Sequence, residues 1–256
     1  MIEGPFERGG YPVWTDRRGE VEVRFVGRGP AGGRDEVLAR IGEPDLPVAW
    51  ARQIHSAQVL PAALPGECGE GDALLADRPG LALSVVTADC VPVLLAGPPG
   101  DERLAAVHAG WRGIVSGVIP ATLHALGNRV GWTAWIGPAI GPCCYEVGDE
   151  VALQIAAAST PEAVLPRPGG RPHLDLLRAV RHQLAAAGVT DVTALTLCTR
   201  DETERLSSYR REGKGGGRNL AFIWRSLPPA ASRPSAPDSP RSAAARAGTP
   251  PRPPGA

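Results

Sequence analysis

The chain has 256 residues, of which 43% are hydrophobic, a size and composition typical of a soluble globular protein. Its 27 basic and 27 acidic side chains balance, so no overall field attracts nucleic acid or anionic lipid, and we expect neither partner. The longest apolar run, residues 81–96, is interrupted by Asp89 and is shorter than the ~20 residues of a spanning helix. The N-terminus lacks a signal-peptide pattern, so we expect a cytoplasmic protein.

The first quarter of the chain gives few clear elements. Residues 1–20 are rich in glycine, proline and charge, show no periodicity, and predict no element. Residues 21–27 alternate as in a half-buried strand, and residues 35–41 form a short helical candidate. Residues 47–54 predict a further strand, which ends at His55.

From Gly71 the sequence becomes rich in predicted strands. Short apolar runs bounded by turn residues predict buried strands at residues 81–87, 91–96 and 104–107. The first two flank the turn 88–90. The third is followed by the turn 110–113 and by a predicted helix at residues 114–126.

The last part alternates strands, loops and helices. Strands are predicted at residues 132–136, 192–198 and 220–224, and helices at residues 149–158 and 174–187, the second of which stops at Gly188. This mixed order predicts an α+β fold with mixed sheets covered by helices, an α/β/β/α-type sandwich. We expect a single domain at residues 1–225 and a disordered tail rich in proline, alanine and arginine at residues 226–256.

Three residues with metal-binding side chains stand at the ends of predicted strands. They are His55, Cys90 and His108, and each lies beside residues suited to a pocket. Their separations are longer than in zinc fingers, so spacing alone does not establish a common site. For each one, a hydrogen-bonded histidine or an inert buried thiol is the alternative.

Five segments together carry a resemblance to a known family. In chain order they are QIHSAQV, GDALLADRPGLALSVVTADCVPVLLA, AAVHAGWRGIVSGVI, WIGPAIGPCCYEVGDEV and SSYRREGKGGGRNLAFIW. They resemble the polyphenol-oxidase or laccase-domain family, also described as purine nucleoside phosphorylases or as the peptidoglycan editing factor. The N-terminal part departs from the family pattern, since a GGVS and SLNL segment is replaced by RGGYPVWTDRRGEVEV. A substrate contact from that segment is therefore in question.

The resemblance implies that His55, Cys90 and His108 bind zinc, with copper as the alternative metal. Two imidazoles and one thiolate form a three-ligand site, which leaves zinc an open position for water or substrate. Such a zinc ion can activate water at neutral pH, as in zinc deaminases that attack C6 of adenine. The carboxylates expected to move protons are Asp89 and Glu146. A turn residue and a helix-leading acid are their respective structural alternatives.

The other activity that the resemblance implies is phosphorolysis of purine nucleosides, which requires a phosphate site. Arginine suits phosphate because its guanidinium fork is bidentate and always charged. Within the family motifs the candidates are Arg112, Arg210, Arg211 and Arg218, with Arg112 preferred because it lies four residues beyond His108. The glycine run 213–217 is a candidate anion nest or a flexible loop. Trp111, Tyr145 and Tyr209 are candidates for stacking on a purine or for packing.

The predicted function is zinc-dependent phosphorolysis of adenosine, inosine, guanosine or methylthioadenosine, with adenosine deamination at the same site. The alternatives are a copper-dependent polyphenol oxidase and a hydrolase that edits peptidoglycan precursors. Five histidines are too few for a multicopper cluster. A structural zinc site closed by Cys143 or Cys144 is a non-enzymatic alternative, although packing beside the pocket is the preferred role of both cysteines. We expect a monomer or homodimer whose partners are purine nucleosides and phosphate.

Overall fold

The computed structural model describes residues 1–127 and 130–227, which form two large mixed β-sheets with helices on their outer faces. The strands of the first sheet, from edge to edge, are β1 (Glu3–Arg8), β2 (Tyr11–Arg18), β3 (Val21–Val26), β15 (Asn219–Arg225), β8 (Ala82–Thr87), β4 (Val48–Arg52) and β6 (Gly66–Glu70). Those of the second are β14 (Asp191–Ala194), β11 (Thr133–Ile136), β9 (Val91–Ala96), β10 (Leu104–Ala109), β7 (Ala73–Ala76) and β5 (Val59–Pro61). A short hairpin pairs β12 (Val164–Leu165) with β13 (His173–Leu174).

The helices are short, and along the chain each one lies between two strands. They are α1 (Arg34–Arg40), α2 (Trp111–Val115), α3 (Val118–Ala125), α4 (Asp149–Ala158), α5 (Leu176–Ala186) and α6 (Tyr209–Glu212), with 3₁₀ turns at Pro161–Ala163 and Gly213–Gly215. Asp175 caps α5 by accepting a hydrogen bond from the Arg178 amide, and Gly188 follows that helix with a φ of 83°. No helix in the described residues is long and apolar enough to cross a membrane.

Alternation of side chains along the strands divides the interior into layers. In β9, Val91, Val93 and Leu95 face the cluster under α2 to α5, whereas Leu94 and Ala96 face the cluster between the sheets. In β15, Ile223 faces that central cluster, while Phe222 packs on the opposite face with Leu38 of α1. The result is the predicted α+β fold, with helices outside two packed sheets.

Several predicted elements differ from those observed. Residues 1–20 form β1 and β2, and the strands β5, β6 and β7 were not predicted. The edge strands β1, β5 and β6 have few buried side chains and carry no apolar alternation. The strand β2 is largely buried, but it mixes proline and charged residues with its apolar ones. The predicted helix at 114–126 begins at Trp111 and is interrupted at Gly117, whose φ is 81°. The predicted strand at 192–198 pairs with β11 only as far as Ala194.

The predicted tail lies outside the described residues from position 228 onward, and its boundary with the domain stays a prediction. Residues 3–8 and 11–18, where the family resemblance is lost, form two strands of the seven-stranded sheet. The atypical N-terminal segment therefore has a structural role in this chain.

Candidate metal centre and active-site pocket

The chain passes from the seven-stranded sheet to the six-stranded sheet between β8 and β9, and Cys90 lies in this crossing. The crossing holds Asp89 at a φ of 98°, a conformation that is strained for any residue except glycine. His108 belongs to β10, which pairs with β9 so that Ala109 lies opposite Val91. The strand register therefore brings His108 to the end of the sheet where Cys90 lies.

His55 reaches the same place from the other sheet. It follows β4, which runs parallel to β8 with Trp50 opposite Ser84, so both strands deliver their C-terminal ends to one edge. His55 has a φ of 60°, a second non-glycine residue in the left-handed region at this site. Three separate strand ends thus converge on one point.

The side chains of His55, Cys90 and His108 form a compact group of metal-binding atoms. One ligand atom from each lies within 4.8 Å of the others, and Cys90 Sγ is 3.8 Å from His55 Nε2. The two imidazole rings meet edge to face, with centroids 4.8 Å apart. A Cβ at Gly110 would come within 2.9 Å of Cys90 Sγ and of the His55 ring, so only glycine fits against the group. Two nitrogens and one sulfur at this spacing fit a zinc ion with an open position.

Asp72 orients two of these three residues from behind, and it is 1% exposed. Its carboxylate accepts hydrogen bonds from the backbone amides of His55 and Ser56, at 2.9 and 2.6 Å, and from the Ser56 hydroxyl at 2.8 Å. It also accepts a hydrogen bond from His108 Nδ1 at 2.8 Å. With the imidazole proton assigned to Nδ1, the Nε2 atom is free to bind a metal. This carboxylate therefore fixes the backbone of one histidine and the ring of the other.

The electrostatics of the site follow from these contacts. Burial raises the pKa of the Cys90 thiol, but hydrogen bonds and charge from His108 and His55 outweigh burial and lower it to about 6. Burial lowers the pKa of His108, yet hydrogen bonds to Asp72 and Cys90 raise it to about 9. Burial raises the pKa of Asp72, while hydrogen bonds from His108 and Ser56 lower it to about 2. The metal-free site therefore favours a thiolate beside an imidazolium at neutral pH.

A pocket of about 600 Å³ opens beside the metal-binding group, a volume that suits a small-molecule ligand. Its walls combine aromatic, cationic and metal-binding side chains. The residues that line it are Gln53, His55, Val86, Thr87, Ala88, Asp89, Cys90, His108, Trp111, Arg112, Tyr145, Tyr209, Arg210 and Arg218.

Asp89 is the only carboxylate among the described residues that line the pocket. Its Oδ1 accepts a hydrogen bond from the Thr199 hydroxyl at 2.6 Å, and its Oδ2 accepts one from the Arg210 amide at 2.7 Å. Asp89 thus anchors the segment that carries Arg210, in addition to facing the pocket. Glu146 is exposed and does not line the pocket, and its carbonyl accepts a hydrogen bond from Arg210 Nη1.

Three of the four candidate arginines line the pocket. Arg112 lies over the Trp111 ring at 4.5 Å, and Arg210 lies over the Tyr145 ring at 5.0 Å. In the described ranges 1–127 and 130–227, no carboxylate forms an ion pair with Arg112, Arg210 or Arg218. These three cations are therefore not neutralised by ion pairs, although the guanidinium groups of Arg210 and Arg218 donate to backbone carbonyls.

The fourth candidate, Arg211, has a different environment. Its guanidinium donates hydrogen bonds to the carbonyls of Thr199, Arg200 and Leu206 and pairs with Glu212. These contacts tie the loop after β14 to α6 and leave Arg211 outside the pocket lining. The glycine run 213–217 also lies outside the lining, so its predicted anion nest is not brought to the pocket.

A profile of the family described as multi-copper polyphenol oxidoreductase laccase matches residues 31–226. The chain belongs to this family. The motifs around His55, Cys90 and His108 all fall inside the matched range, so the family relationship covers the whole site.

Relatives within the family carry the name purine nucleoside phosphorylase. The Pseudomonas aeruginosa protein of that name is 40% identical over 180 residues, which is 69% of this chain and 73% of the relative. Purine nucleoside phosphorylase YfiH of Escherichia coli is 38% identical over 196 residues, or 75% of this chain and 79% of the relative. A Streptomyces griseus relative of the same name is 35% identical over 234 residues, 83% of this chain and 93% of its own.

Solved structures of family members share the fold. The crystal structure of a Neisseria meningitidis protein superposes with a TM-score of 0.75 at 32% identity, covering 85% of this chain and 100% of that one. YlmD from Geobacillus stearothermophilus gives a TM-score of 0.69 at 29% identity, covering 87% and 94% respectively.

The family description implies several copper ions, and the metal-binding side chains of this chain can be compared with that requirement. The chain has five histidines, and only His55 and His108 belong to a metal-binding group in the described residues. The single methionine, Met1, is 91% exposed at the chain terminus, so it does not supply the weak axial ligand of a blue-copper site. The donors present fit one zinc-like ion better than a copper cluster.

Sequence reasoning did not identify three residues that organise the site. Asp72 had a signal, since it is an acid directly before the short apolar run 73–76, which the structure shows as the strand β7. Gln53 spans the sheet edge by donating to the Val86 carbonyl and accepting from the Val86 amide, both at 2.8 Å. Thr199 is held only by tertiary contacts, for which the sequence carries no local signal.

The alternative in which Cys143 or Cys144 closes the first site is not supported, since both thiols belong to a different group.

Proposed function

We propose that this chain is a zinc-dependent purine nucleoside phosphorylase that acts on adenosine, inosine, guanosine or methylthioadenosine and also deaminates adenosine. The observation that carries the proposal is one pocket that combines a His₂Cys metal-binding group, three unpaired arginines and three aromatic side chains. The names of the relatives at 35–40% identity support the same substrate class.

In the proposed phosphorolysis, different residues of the pocket have different roles. A phosphate oxygen attacks C1′ of the ribose, the bond from C1′ to the purine nitrogen breaks, and the departing purine takes up a proton. Arg112, Arg210 and Arg218 would hold the phosphate, because guanidinium groups bind its oxygens in pairs. Their charge is available because no carboxylate in the described part of the chain neutralises it.

The aromatic side chains and the carboxylate complete the proposed assignment. Trp111, Tyr145 and Tyr209 offer flat surfaces for the purine, and Arg112 and Arg210 stiffen two of those rings by stacking on them. Asp89 is assigned to proton transfer, because it is the pocket's only described carboxylate. Glu146 and Arg211, which lie outside the lining, are assigned no contact with substrate.

His55, Cys90 and His108 would hold the zinc ion, with Asp72 keeping both histidines in place. A bound zinc ion supplies a Lewis acid with an open coordination position at neutral pH. Copper stays the alternative metal, favoured by the family description and by a donor set that also accepts Cu²⁺. The copper-dependent oxidation of phenols is the second candidate function.

A product assay tests the proposal. Zinc-loaded protein is incubated with adenosine, with and without phosphate, and the products are separated by chromatography. Adenine that appears only with phosphate, and inosine that appears without it, both lost in His108→Ala, are the expected result.

The same preparations also test the copper alternative. Oxygen uptake with a phenol by copper-loaded protein, together with no nucleoside product from fully zinc-loaded protein, would replace the proposal with the oxidase. No product of either kind would refute both and leave the peptidoglycan-editing alternative.

A further inference from the structure

A second group of metal-binding side chains lies outside the pocket, on the loops that follow β11 and β14. It consists of Cys143, Cys144, Cys198 and Asp201, which we call the cysteine cluster. One ligand atom from each lies within 4.8 Å of the others, the same limit that the His55 group satisfies. The proposed phosphorolysis uses none of these four residues.

The contacts within the cysteine cluster are close and directed at one point. Cys143 Sγ is 3.5 Å from Cys198 Sγ and donates to Asp201 Oδ2 at 3.1 Å. Cys144 Sγ donates to the other carboxylate oxygen of Asp201 at 3.0 Å. Adjacent cysteines in one loop thus face both oxygens of a single aspartate from the other loop.

Backbone contacts hold the cluster in this arrangement. Ala139 and Cys198 form an isolated parallel bridge, and the Thr199 amide donates to the Ala139 carbonyl at 3.0 Å. The Gly141 amide donates to Cys198 Sγ at 3.2 Å. A Cβ at Gly141 would approach Cys143 Sγ to 3.2 Å, so the loop backbone lies directly against the sulfurs.

From this geometry we propose that Cys143, Cys144, Cys198 and Asp201 bind a second zinc ion at a structural site. Zinc takes four ligands in a tetrahedron, with Zn–S near ~2.3 Å and Zn–O near ~2.1 Å, which sets ligand atoms roughly 3.6–3.8 Å apart. The three contacts at 3.0 to 3.5 Å and the limit of 4.8 Å on every pair of ligand atoms lie on either side of these distances, so small side-chain shifts reach that geometry. All four positions are filled by protein, so the site leaves no place for substrate.

Zinc binding at the cluster is an exchange of cations. Each thiol that ligates releases its proton to solvent, and the Zn²⁺ ion replaces the S–H donors that now face Asp201. No electron is transferred and no oxidant is needed. A disulfide between Cys143 and Cys198 would instead use two of the four groups and leave Cys144 and Asp201 without a role.

The position of the cluster gives the second ion a consequence for the pocket. The loop that carries Cys143 and Cys144 continues into Tyr145, and the loop that carries Cys198 and Asp201 leads to Arg210. Arg210 lies over Tyr145, so a zinc ion would cross-link the two chain segments that lead into this pair. The inference does not depend on the proposed function, because it concerns a closed site outside the pocket.

Metal analysis of matched variants tests the inference. The full chain is freed of metal with a chelator, reloaded with zinc, and its bound zinc is counted by mass spectrometry. We expect two zinc ions per chain in the wild type, one in Cys143→Ser/Cys198→Ser, and one in His55→Ala/His108→Ala. Cys68→Ser is the matched control and should keep both ions, because Cys68 belongs to neither group.

Cobalt gives a readout that is independent of activity. The His55→Ala/His108→Ala variant loaded with Co²⁺ should show strong sulfur-to-metal charge-transfer absorption, because three thiolates remain as ligands. If Cys143→Ser/Cys198→Ser does not fold, Asp201→Asn is the substitute, since Asp201 is exposed; it should weaken the second zinc ion by at least ~10-fold while leaving the first.

Three results would overturn the inference. One zinc ion in the wild type, lost with His55→Ala/His108→Ala, would leave the cysteine cluster without a metal. Two ions retained in folded Cys143→Ser/Cys198→Ser would place the second ion elsewhere. A mass lower by two hydrogens that maps to a bond between Cys143 and Cys198, with one zinc ion bound, would assign the pair to a disulfide.

Discussion

At the scale of single residues, Asp72 determines the geometry of the metal-binding group more than any ligand does. One buried carboxylate receives hydrogen bonds from the backbone around His55, from Ser56 and from the His108 ring. Such partners orient the ligands and fix the histidine tautomer. Asp72 and the His₂Cys group therefore form a four-residue unit in which Asp72 supports the two histidines without belonging to the metal-binding group.

Asp72→Asn should weaken zinc binding by roughly 10–100-fold, the usual cost of losing an outer partner of a metal ligand. An amide has one acceptor oxygen, so it cannot satisfy the amide, hydroxyl and imidazole donors that Asp72 accepts. Competition with a chromophoric chelator measures the affinity. Asp77→Asn, at an exposed aspartate of a turn, is the control, and an unchanged affinity in Asp72→Asn would contradict the role assigned to Asp72.

The same residue gives a pH prediction for the metal-free protein. The pKa of Asp72 falls from 3.8 to about 2 on folding, so its contribution to stability is fully present above pH 3.8 and is lost as the pH falls through about 2. That shift corresponds to about 2 kcal/mol. Urea unfolding between pH 5 and 2 should show a steeper loss of stability in the wild type than in Asp72→Asn. Parallel curves would show that Asp72 does not carry the shift.

At the scale of elements, Gly117 separates α2 from α3 and so sets the direction in which the chain leaves the pocket. Its φ of 81° is left-handed, and Pro120 lies in the first turn of α3, where the missing amide hydrogen costs nothing. Gly117→Ala should lower the free energy of unfolding by about 1–2 kcal/mol, because a Cβ strains this conformation. Thermal or urea unfolding measures the change.

A second glycine provides the control for that substitution. Gly170 has an ordinary φ, and a Cβ there would meet only the Arg167 side chain at 3.7 Å. Gly170→Ala should therefore change stability by less than ~0.5 kcal/mol. Equal effects of the two substitutions would contradict the backbone explanation.

Strands formed by a mainly apolar run of six residues were predictable from sequence, whereas the exposed strand β1 and the mixed strand β2 were not. The two strands that flank Cys90 and the strand that carries His108 consist of short apolar runs, and the structure places them within a few residues of the prediction. β1 has six exposed residues, so it carries no alternation of apolar and polar side chains. The strand predicted at 192–198 ends early because Gly137 and Pro138 terminate its partner strand, β11.

The site was predictable only where its residues lie in local motifs. The family resemblance brought His55, Cys90 and His108 to attention, and the structure brings them together. It could not separate Arg211 from Arg210 or Arg218, because the carbonyl groups that hold Arg211 are contributed by residues whose proximity depends on the tertiary fold. Gln53 and Thr199 escaped notice for the same reason, since both act through long-range contacts.

At the scale of the whole molecule, two sheets share one central hydrophobic layer, and the site lies where the chain crosses between them. Leu94 of β9 is fully buried in that layer with Trp135 and Ala106. Loosening the layer should therefore affect the alignment of Cys90, in the crossing, with His108, on β10.

Leu94→Ala should cost about 2–5 kcal/mol of stability, from lost burial and the cavity that remains. Urea unfolding followed by fluorescence measures the cost. Leu153→Ala is the matched control, because Leu153 is 71% exposed on α4, and its effect should stay within ~0.5 kcal/mol. A small effect at Leu94 would mean that the sheets do not depend on this layer.

The most direct test of the account is the rate of phosphate-dependent release of adenine from adenosine by zinc-loaded Cys90→Ser and Cys68→Ser. Cys90 belongs to the proposed zinc site, whereas Cys68 lies on β6, outside the pocket. The account predicts that Cys90→Ser loses more than ~100-fold in kcat/KM, since losing even an outer partner costs ~10–100-fold. Cys68→Ser should match the wild type. Full activity in Cys90→Ser, or adenine release that does not require phosphate, would contradict a zinc-dependent phosphorylase at this site.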